Sequence, residues 1–201
     1  MVEKITKWKM KIISLFRGGY LKTFHVREMA KLLDTTHVTL LPHLESLTED
    51  RVLTSKVIGR NRVFALNLDN ILAKDHVAIA EKFEANEYLE KTLLMRKVYS
   101  EIFRLGLDGS IILFGSYVKG YKTQASDIDL FYLGEIGKGQ TVAMEKTGEL
   151  YGKQINVKKA RLEVFEAGLR KGDTPIREIL EDHLVFAESG PVCERFVEVL
   201  R

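Results

Sequence analysis

Hydrophobic positions in the first third of the chain recur at helical spacing. The first predicted helix has an apolar face made of Ile5, Trp8, Ile12, Leu15 and Phe16. A shorter second helix is predicted from the apolar set Val26, Met29, Ala30 and Leu33. Asp34-Thr35-Thr36 then offers an N-cap for a third helix that carries Leu40, Leu44 and Leu47. Two β-rich runs follow at 52–58 and 62–68, and Gly59-Arg60-Asn61 between them predicts a hairpin.

The middle of the chain, residues 70–105, has the pattern of helix almost throughout. One apolar stripe runs from Ile71 to Phe83, another runs from Leu89 to Leu105, and a break is predicted at Asn86. Two interpretations remain open for the first of these helices. It is either a linker that forms a homodimer or a simple spacer between two units.

The second half alternates strand-like and helix-like segments. Ile111-Ile112-Leu113-Phe114 predicts a buried strand, and Asp127-Ile128-Asp129-Leu130-Phe131 predicts another one. A helix at about 141–151 precedes a predicted strand at 154–157. The expected fold class is therefore α+β.

Composition excludes several classes of protein. The chain has 201 residues, of which 45% are hydrophobic and 29% charged, which is too apolar for a disordered chain. No apolar run approaches the roughly 20 residues that a membrane helix needs. A single cysteine, Cys193, cannot form an internal disulfide, so the expected location is the reducing cytoplasm.

The net charge of +3 is unevenly distributed along the chain. Residues 1–70 hold 12 Lys and Arg against 7 Asp and Glu, residues 71–105 are neutral, and residues 106–201 carry −2. A basic third on a slightly acidic remainder indicates units with different partners. We predict an N-terminal domain at 1–69, a linker helix at 70–86 and a C-terminal domain at 87–201.

Three helices followed by a hairpin resemble the winged helix-turn-helix domains of archaeal and bacterial transcription regulators. The resemblance implies that the third helix enters the major groove of DNA and that the hairpin reaches phosphate or the minor groove. The implied DNA-binding residues are Thr36, His37, Thr39, Lys56, Arg60 and Arg62. Pro42 is expected to kink the third helix. The alternative is that this fold serves as a protein-interaction or dimerisation module.

The candidate chemistry lies between the two predicted strands of the second half. Strand alternation places Asp127 and Asp129 on one face. Two carboxylates so close raise each other's pKa unless a cation lies between them, and Mg²⁺ suits such a pair of oxygen ligands. Gly115 allows the backbone to approach a phosphate, and Ser116 offers a hydroxyl and an amide to it.

Gly115-Ser116, ten intervening residues and Asp127-x-Asp129 together resemble the signature of the polymerase-beta-like nucleotidyltransferase superfamily, above all its minimal members. The resemblance implies a small mixed sheet flanked by helices. It also implies that the two aspartates hold two Mg²⁺ ions, which bind a nucleoside triphosphate and activate an acceptor hydroxyl. Lys122 is a further candidate for contact with the triphosphate, although an ordinary solvated lysine is an equal interpretation.

The chain departs from the family pattern at the third carboxylate. The family usually places an acid on the next strand, where this sequence has Asn156. An amide oxygen ligates metal but brings no negative charge and cannot act as a base. Glu163 is a second-ranked substitute, because Leu162, Phe165 and Leu169 around it fit a helix better than a strand.

Two functional hypotheses follow. In the first, a winged-helix protein with a minimal nucleotidyltransferase domain transfers a nucleoside monophosphate, such as AMP, to a protein or small molecule. In the second, a DNA-binding regulator carries a nucleotidyltransferase domain that has lost catalysis and only binds nucleotide or packs. By resemblance alone, a small helical toxin-like protein is a candidate partner.

Overall fold

The computed structural model describes residues 5–200, and its N-terminal part consists of three helices and a three-stranded sheet. The elements are α1 (Lys7–Ser14), β1 (Thr23–His25), α2 (Val26–Leu32), α3 (His37–Glu49), β2 (Leu53–Ile58) and β3 (Asn61–Leu66). The sheet order is β1-β3-β2 and all pairings are antiparallel. All three predicted helices and the hairpin are confirmed.

Two details of this part differ from the predictions. The pattern did not indicate β1, because three residues are too few to show alternation. Asn61 belongs to β3, so the turn has only two residues and begins at Gly59, whose φ is +62°. Helix α3 runs from His37 to Glu49 with Pro42 inside it, and the kink expected at Pro42 stays a prediction.

Two helices connect the N-terminal part to the second sheet. They are α4 (Ile71–Lys91) and α5 (Leu93–Arg104). The predicted break at Asn86 is wrong, because α4 continues five residues further, to Lys91. The next residue, Thr92, has a φ of −124° and a ψ of 84°, which are not helical. Ala85 and Leu89 on either side of Asn86 both pack into an apolar core, and this burial favours continued helix.

The second sheet is a four-stranded mixed sheet flanked by helices. It contains β4 (Ser110–Phe114), β5 (Ile128–Leu133), β6 (Ile155–Ala160) and β7 (Leu184–Ala187) in the order β6-β5-β4-β7. Only β5 and β6 are parallel. The surrounding helices are α6 (Ser116–Lys119), α7 (Lys138–Glu149), α8 (Leu162–Lys171), α9 (Thr174–Glu181) and α10 (Ser189–Leu200). The two sheets and ten helices of residues 5–200 make the fold α+β.

The two faces of this sheet are buried in different apolar clusters. One cluster contains Ile111, Leu113 and Leu130 with residues of α5 and α7. The other contains Ile112 and Phe131 from the opposite face, and it is continuous with the core of the N-terminal part. The N-terminal part is thus packed against one face of the second sheet.

Helix α4 lies inside this shared core. It buries Ala73, Val77 and Ala80 among residues of both halves. Its Glu81 carboxylate is fully buried and accepts from Arg17 Nε at 2.7 Å and His183 Nε2 at 3.1 Å. The Arg17 guanidinium also donates to the His183 carbonyl. Through these hydrogen bonds, helix α4 connects the segment after α1 to the residue before β7, so it is more than a spacer.

No helix among residues 5–200 is long and apolar enough to cross a bilayer.

Candidate active site

The turn after β4 requires glycine at position 115. Gly115 has φ +74° and ψ −150°, a conformation that side-chain-bearing residues rarely adopt. A Cβ atom built there would lie only 2.6 Å from Asp129 Oδ2. Gly115 therefore allows the chain to turn directly into α6, with Ser116 as the first helical residue, while the backbone stays against the Asp129 carboxylate.

The two aspartates lie on one face of β5, as the alternation predicts. Asp127 immediately precedes the strand and Asp129 is its second residue, whereas Ile128 and Leu130 are fully buried on the other face. Asp129 is opposite Phe114 of β4 and opposite Asn156 of β6. The end of β4 and the starts of β5 and β6 thus bring Gly115, Asp129 and Asn156 together at one edge of the sheet.

Asn156 is hydrogen-bonded to both aspartates. Its Nδ2 donates to Asp127 Oδ2 at 3.4 Å and to Asp129 Oδ1 at 3.2 Å. Its Oδ1 accepts from Gln154 Nε2 at 2.9 Å, which turns the amide oxygen away from the carboxylates. The sequence placed Asn156 at the third-carboxylate position, and there it acts as a donor that holds the two carboxylates in place.

The two aspartate carboxylates suit a divalent cation that takes few of its ligands from the protein. No group of three or more His, Cys, Asp or Glu suited to a metal occurs within residues 5–200. Mg²⁺ does not need such a group, since it commonly takes one or two carboxylates and completes its shell with water and substrate phosphate. Asp127 and Asp129 supply those two half-buried carboxylates on one face of β5.

Glu163, the alternative third acid, lies elsewhere. It is exposed in the first turn of α8, which follows the C-terminal end of β6. The site is at the N-terminal end of that strand, and four residues of strand, about 13 Å, separate Asn156 from Ala160. The structure therefore does not bring Glu163 to the two aspartates.

The loop between α6 and β5 is held by several hydrogen bonds. Ser126 Oγ accepts from the Thr123 amide at 2.8 Å, and the Lys153 ammonium donates to the Gln124 carbonyl. The Lys122 ammonium lies 5.0 Å from the centre of the Tyr117 ring and 5.6 Å from that of Tyr88. The predicted nucleotide contact of Lys122 stays a prediction, and the structure shows these two aromatic partners.

Tyr88 supports this loop from α4. Burial raises the pKa of the Tyr88 hydroxyl to about 12, so the group stays protonated at neutral pH. It donates to the Tyr117 carbonyl at 3.3 Å. The segment directly after Ser116 is thereby anchored to α4.

Lys158 is a candidate site residue that the sequence reasoning missed. It follows Asn156 by two residues on β6, and its ammonium lies 5.5 Å from the centre of the Phe114 ring. The alternation of strand residues was the available signal, because it places positions 156 and 158 on the same face.

An open groove lies beside the edge strand β6, next to Asn156. It has a volume of about 680 Å³ and is lined by Glu145, Glu149, Gly152, Lys153, Gln154, Ile155 and Asn156. The groove offers open space beside Asn156, and neither aspartate lines it.

The residues predicted to contact DNA form two exposed groups. At the start of α3, Thr36 is the N-cap, and its hydroxyl accepts from the Thr39 amide at 3.2 Å, while His37 is exposed. On the β2–β3 hairpin, Lys56, Arg60 and Arg62 are exposed. Within the described residues, neither a hydrogen bond nor an ion pair joins the two groups.

Comparison with known proteins agrees with the site in the second half. The family model described as "Nucleotidyltransferase domain" matches residues 95–186, from α5 to β7. The match includes Gly115, Ser116, both aspartates and Asn156. No curated protein and no solved structure matches the chain. The match supports the nucleotidyltransferase part of the resemblance over residues 95–186.

Proposed function

We propose that the nucleotidyltransferase domain is active and transfers a nucleoside monophosphate, such as AMP, from a nucleoside triphosphate to a protein or small-molecule hydroxyl. The observation that carries the proposal is the end of the second sheet at which β4 ends and β5 and β6 begin. There the Gly115-Ser116 turn adjoins the Asp129 carboxylate, which lies with Asp127 on one face of β5. A small helical toxin-like protein is among the proposed acceptors, and a homodimer is the proposed assembly.

In this proposal, different residues of the chain bind the metal, position the triphosphate and accept the proton. Asp127 and Asp129 hold Mg²⁺, which when bound neutralises phosphate charge and polarises the α-phosphorus. Gly115 and Ser116 position the triphosphate. The acceptor oxygen bonds to the α-phosphorus as the bond to the departing pyrophosphate breaks. Since the Asn156 amide cannot take up the acceptor proton, the proton passes to one of the two aspartates or to water.

The first test is transfer of label by the wild-type protein. We expect labelled nucleotide to become attached to an acceptor in a cell extract or to the chain itself when Mg²⁺ is present, and chelation by EDTA to abolish the transfer. Asn156→Asp is expected to increase the rate, because it restores a negative charge and a base beside the pair. Absence of labelling from all four nucleoside triphosphates, with no gain from Asn156→Asp, would contradict an active enzyme and favour the catalytically degenerate alternative.

We also propose that the N-terminal part is a winged helix that binds DNA and regulates transcription. The charge distribution and exposure support this second function. Residues 1–70 carry a net charge of +5, and the hairpin presents Lys56, Arg60 and Arg62 to solvent. Arg62 Nε donates to Ser55 Oγ at 3.1 Å, and its guanidinium lies 4.9 Å from the Phe64 ring centre, so it is held along the strand.

Replacement of both Arg60 and Arg62 by Ala is expected to weaken binding to genomic DNA fragments and to flatten its salt dependence. Each lost phosphate contact reduces the slope of log K against log salt by about 0.9, so the pair predicts a decrease of about 2. Arg96→Ala with Lys97→Ala is the matched control, because both residues are exposed cations on α5. Equal slopes for the two double variants would contradict the proposed interface.

A further inference from the structure

Lys158 lies on the face of the sheet that carries the proposed catalytic groups. In the parallel pairing of β5 and β6, Asn156 is opposite Asp129 and Lys158 is opposite Phe131. Side chains two residues apart on a strand share a face, so Lys158 and Asn156 point to the same side. The lysine is thus one step further along the surface that contains the aspartates.

The position of the ammonium shows where this side chain extends. Lys158 is on β6, whereas the Phe114 ring 5.5 Å from its Nζ belongs to β4. Strand β5 lies between them, and two strand spacings amount to about 9.6 Å. The Lys158 side chain therefore extends over β5, the strand that bears Asp129, toward the residue that immediately precedes Gly115-Ser116.

Nothing in the described part of the chain neutralises this ammonium. Within residues 5–200, no carboxylate lies within 4.0 Å of Lys158 Nζ, and no hydrogen bond engages it. The side chain is exposed, and its aromatic neighbour holds it through a cation–π contact without satisfying its N–H groups. An ammonium so placed has three donors available for an anion.

Lys122, the cation that the sequence indicated, is placed differently. Its ammonium faces Tyr88 and Tyr117. Both rings belong to the cluster that covers the opposite face of the sheet, with Ile111 and Leu113. Of these two lysines, Lys158 is the one whose ammonium extends over the strand of the aspartates.

We propose that the Lys158 ammonium binds phosphate oxygens of the nucleoside triphosphate and supplies positive charge in the active site. The inference rests on the proposed function of the domain.

The test is a binding measurement that does not depend on turnover. The probes are the α,β-methylene analogues of ATP, GTP, CTP and UTP, which cannot release pyrophosphate, titrated calorimetrically with Mg²⁺. For the analogue that binds best, Lys158→Met is expected to raise Kd at least about tenfold, since a charge-assisted contact to phosphate is lost. Lys158→Arg keeps the charge and is expected to retain most of the affinity.

Lys159→Met is the matched control. It removes the same charge from the adjacent residue, which lies on the other face and donates to Thr141 Oγ1 at 3.2 Å. Its Kd is expected to stay within about twofold of wild type. If wild type binds an analogue and the two methionine variants bind it equally well, the role of Lys158 is overturned while the proposed function stands. If wild type binds none of the four, both are overturned.

Discussion

The Asp129→Asn variant is expected to lose nucleotidyl transfer by at least about 10³-fold while its fold is retained. Asn keeps the size of the side chain and an oxygen that accepts from Asn156 Nδ2, now 3.2 Å from Asp129 Oδ1. It removes one of only two carboxylates that the site offers to a cation. Metal stabilisation of transition-state charge is worth several kcal/mol, and each 1.4 kcal/mol corresponds to about tenfold in rate.

Thermal unfolding separates this loss from misfolding. Without metal, the Tm of Asp129→Asn is expected to equal or exceed that of wild type, because neutralising one aspartate removes the repulsion between two like charges. Added Mg²⁺ is expected to raise the Tm of wild type more than that of the variant. Asp108→Asn is the matched control, as it makes the same change in an exposed residue near the opposite end of the sheet. Transfer by Asp129→Asn at the rate of this control would contradict the proposed site.

The Glu81→Gln variant is expected to lower the free energy of unfolding by about 3–5 kcal/mol. Removing one member of a buried ion pair leaves the other charge buried without compensation. Glu81 is fully buried, and Arg17, which contacts it at 2.7 Å, has a side chain only 13% exposed. The loss is expected to affect unfolding of the whole chain, since Arg17, Glu81 and His183 join α1, α4 and β7. Urea denaturation of wild type and variant measures it.

The size of this effect is expected to depend on pH. Burial alone would raise the pKa of the Glu81 carboxyl, but the charges and hydrogen bonds of His183 and Arg17 outweigh it and lower the pKa below its usual value of 4.5. A carboxyl with a lowered pKa stabilises the fold above its unfolded value and loses this contribution as the pH falls through the folded one. The difference between wild type and Glu81→Gln should therefore be largest near neutral pH and shrink below about pH 4.5.

Glu90→Gln is the control for both measurements. It makes the same substitution on the same helix at an exposed position. We expect its stability to match that of wild type at every pH. A Glu81→Gln variant as stable as this control would mean that the buried contacts with Arg17 and His183 contribute no net stability.

Local patterns predicted much of the fold because they report directly on burial. The apolar run at 111–114 became a strand buried at every position, and the alternation around Ile128 placed both aspartates on one face. The break at Asn86 was predicted wrongly for the converse reason. The local pattern carries no information about the apolar core, formed by residues distant in sequence, into which Ala85 and Leu89 pack. Burial in that core keeps α4 helical to Lys91.

The identity of the chemical groups and their spacing follow from the sequence without the fold. Gly115-Ser116 and Asp127-x-Asp129 are contiguous motifs, and strand periodicity is enough to orient them. Tertiary structure alone decided which way the Asn156 amide faces, that Lys158 extends over the aspartate strand, and that Glu81 is buried between Arg17 and His183. These features depend on strand register and on contacts between residues 64 to 166 positions apart, which no local pattern encodes.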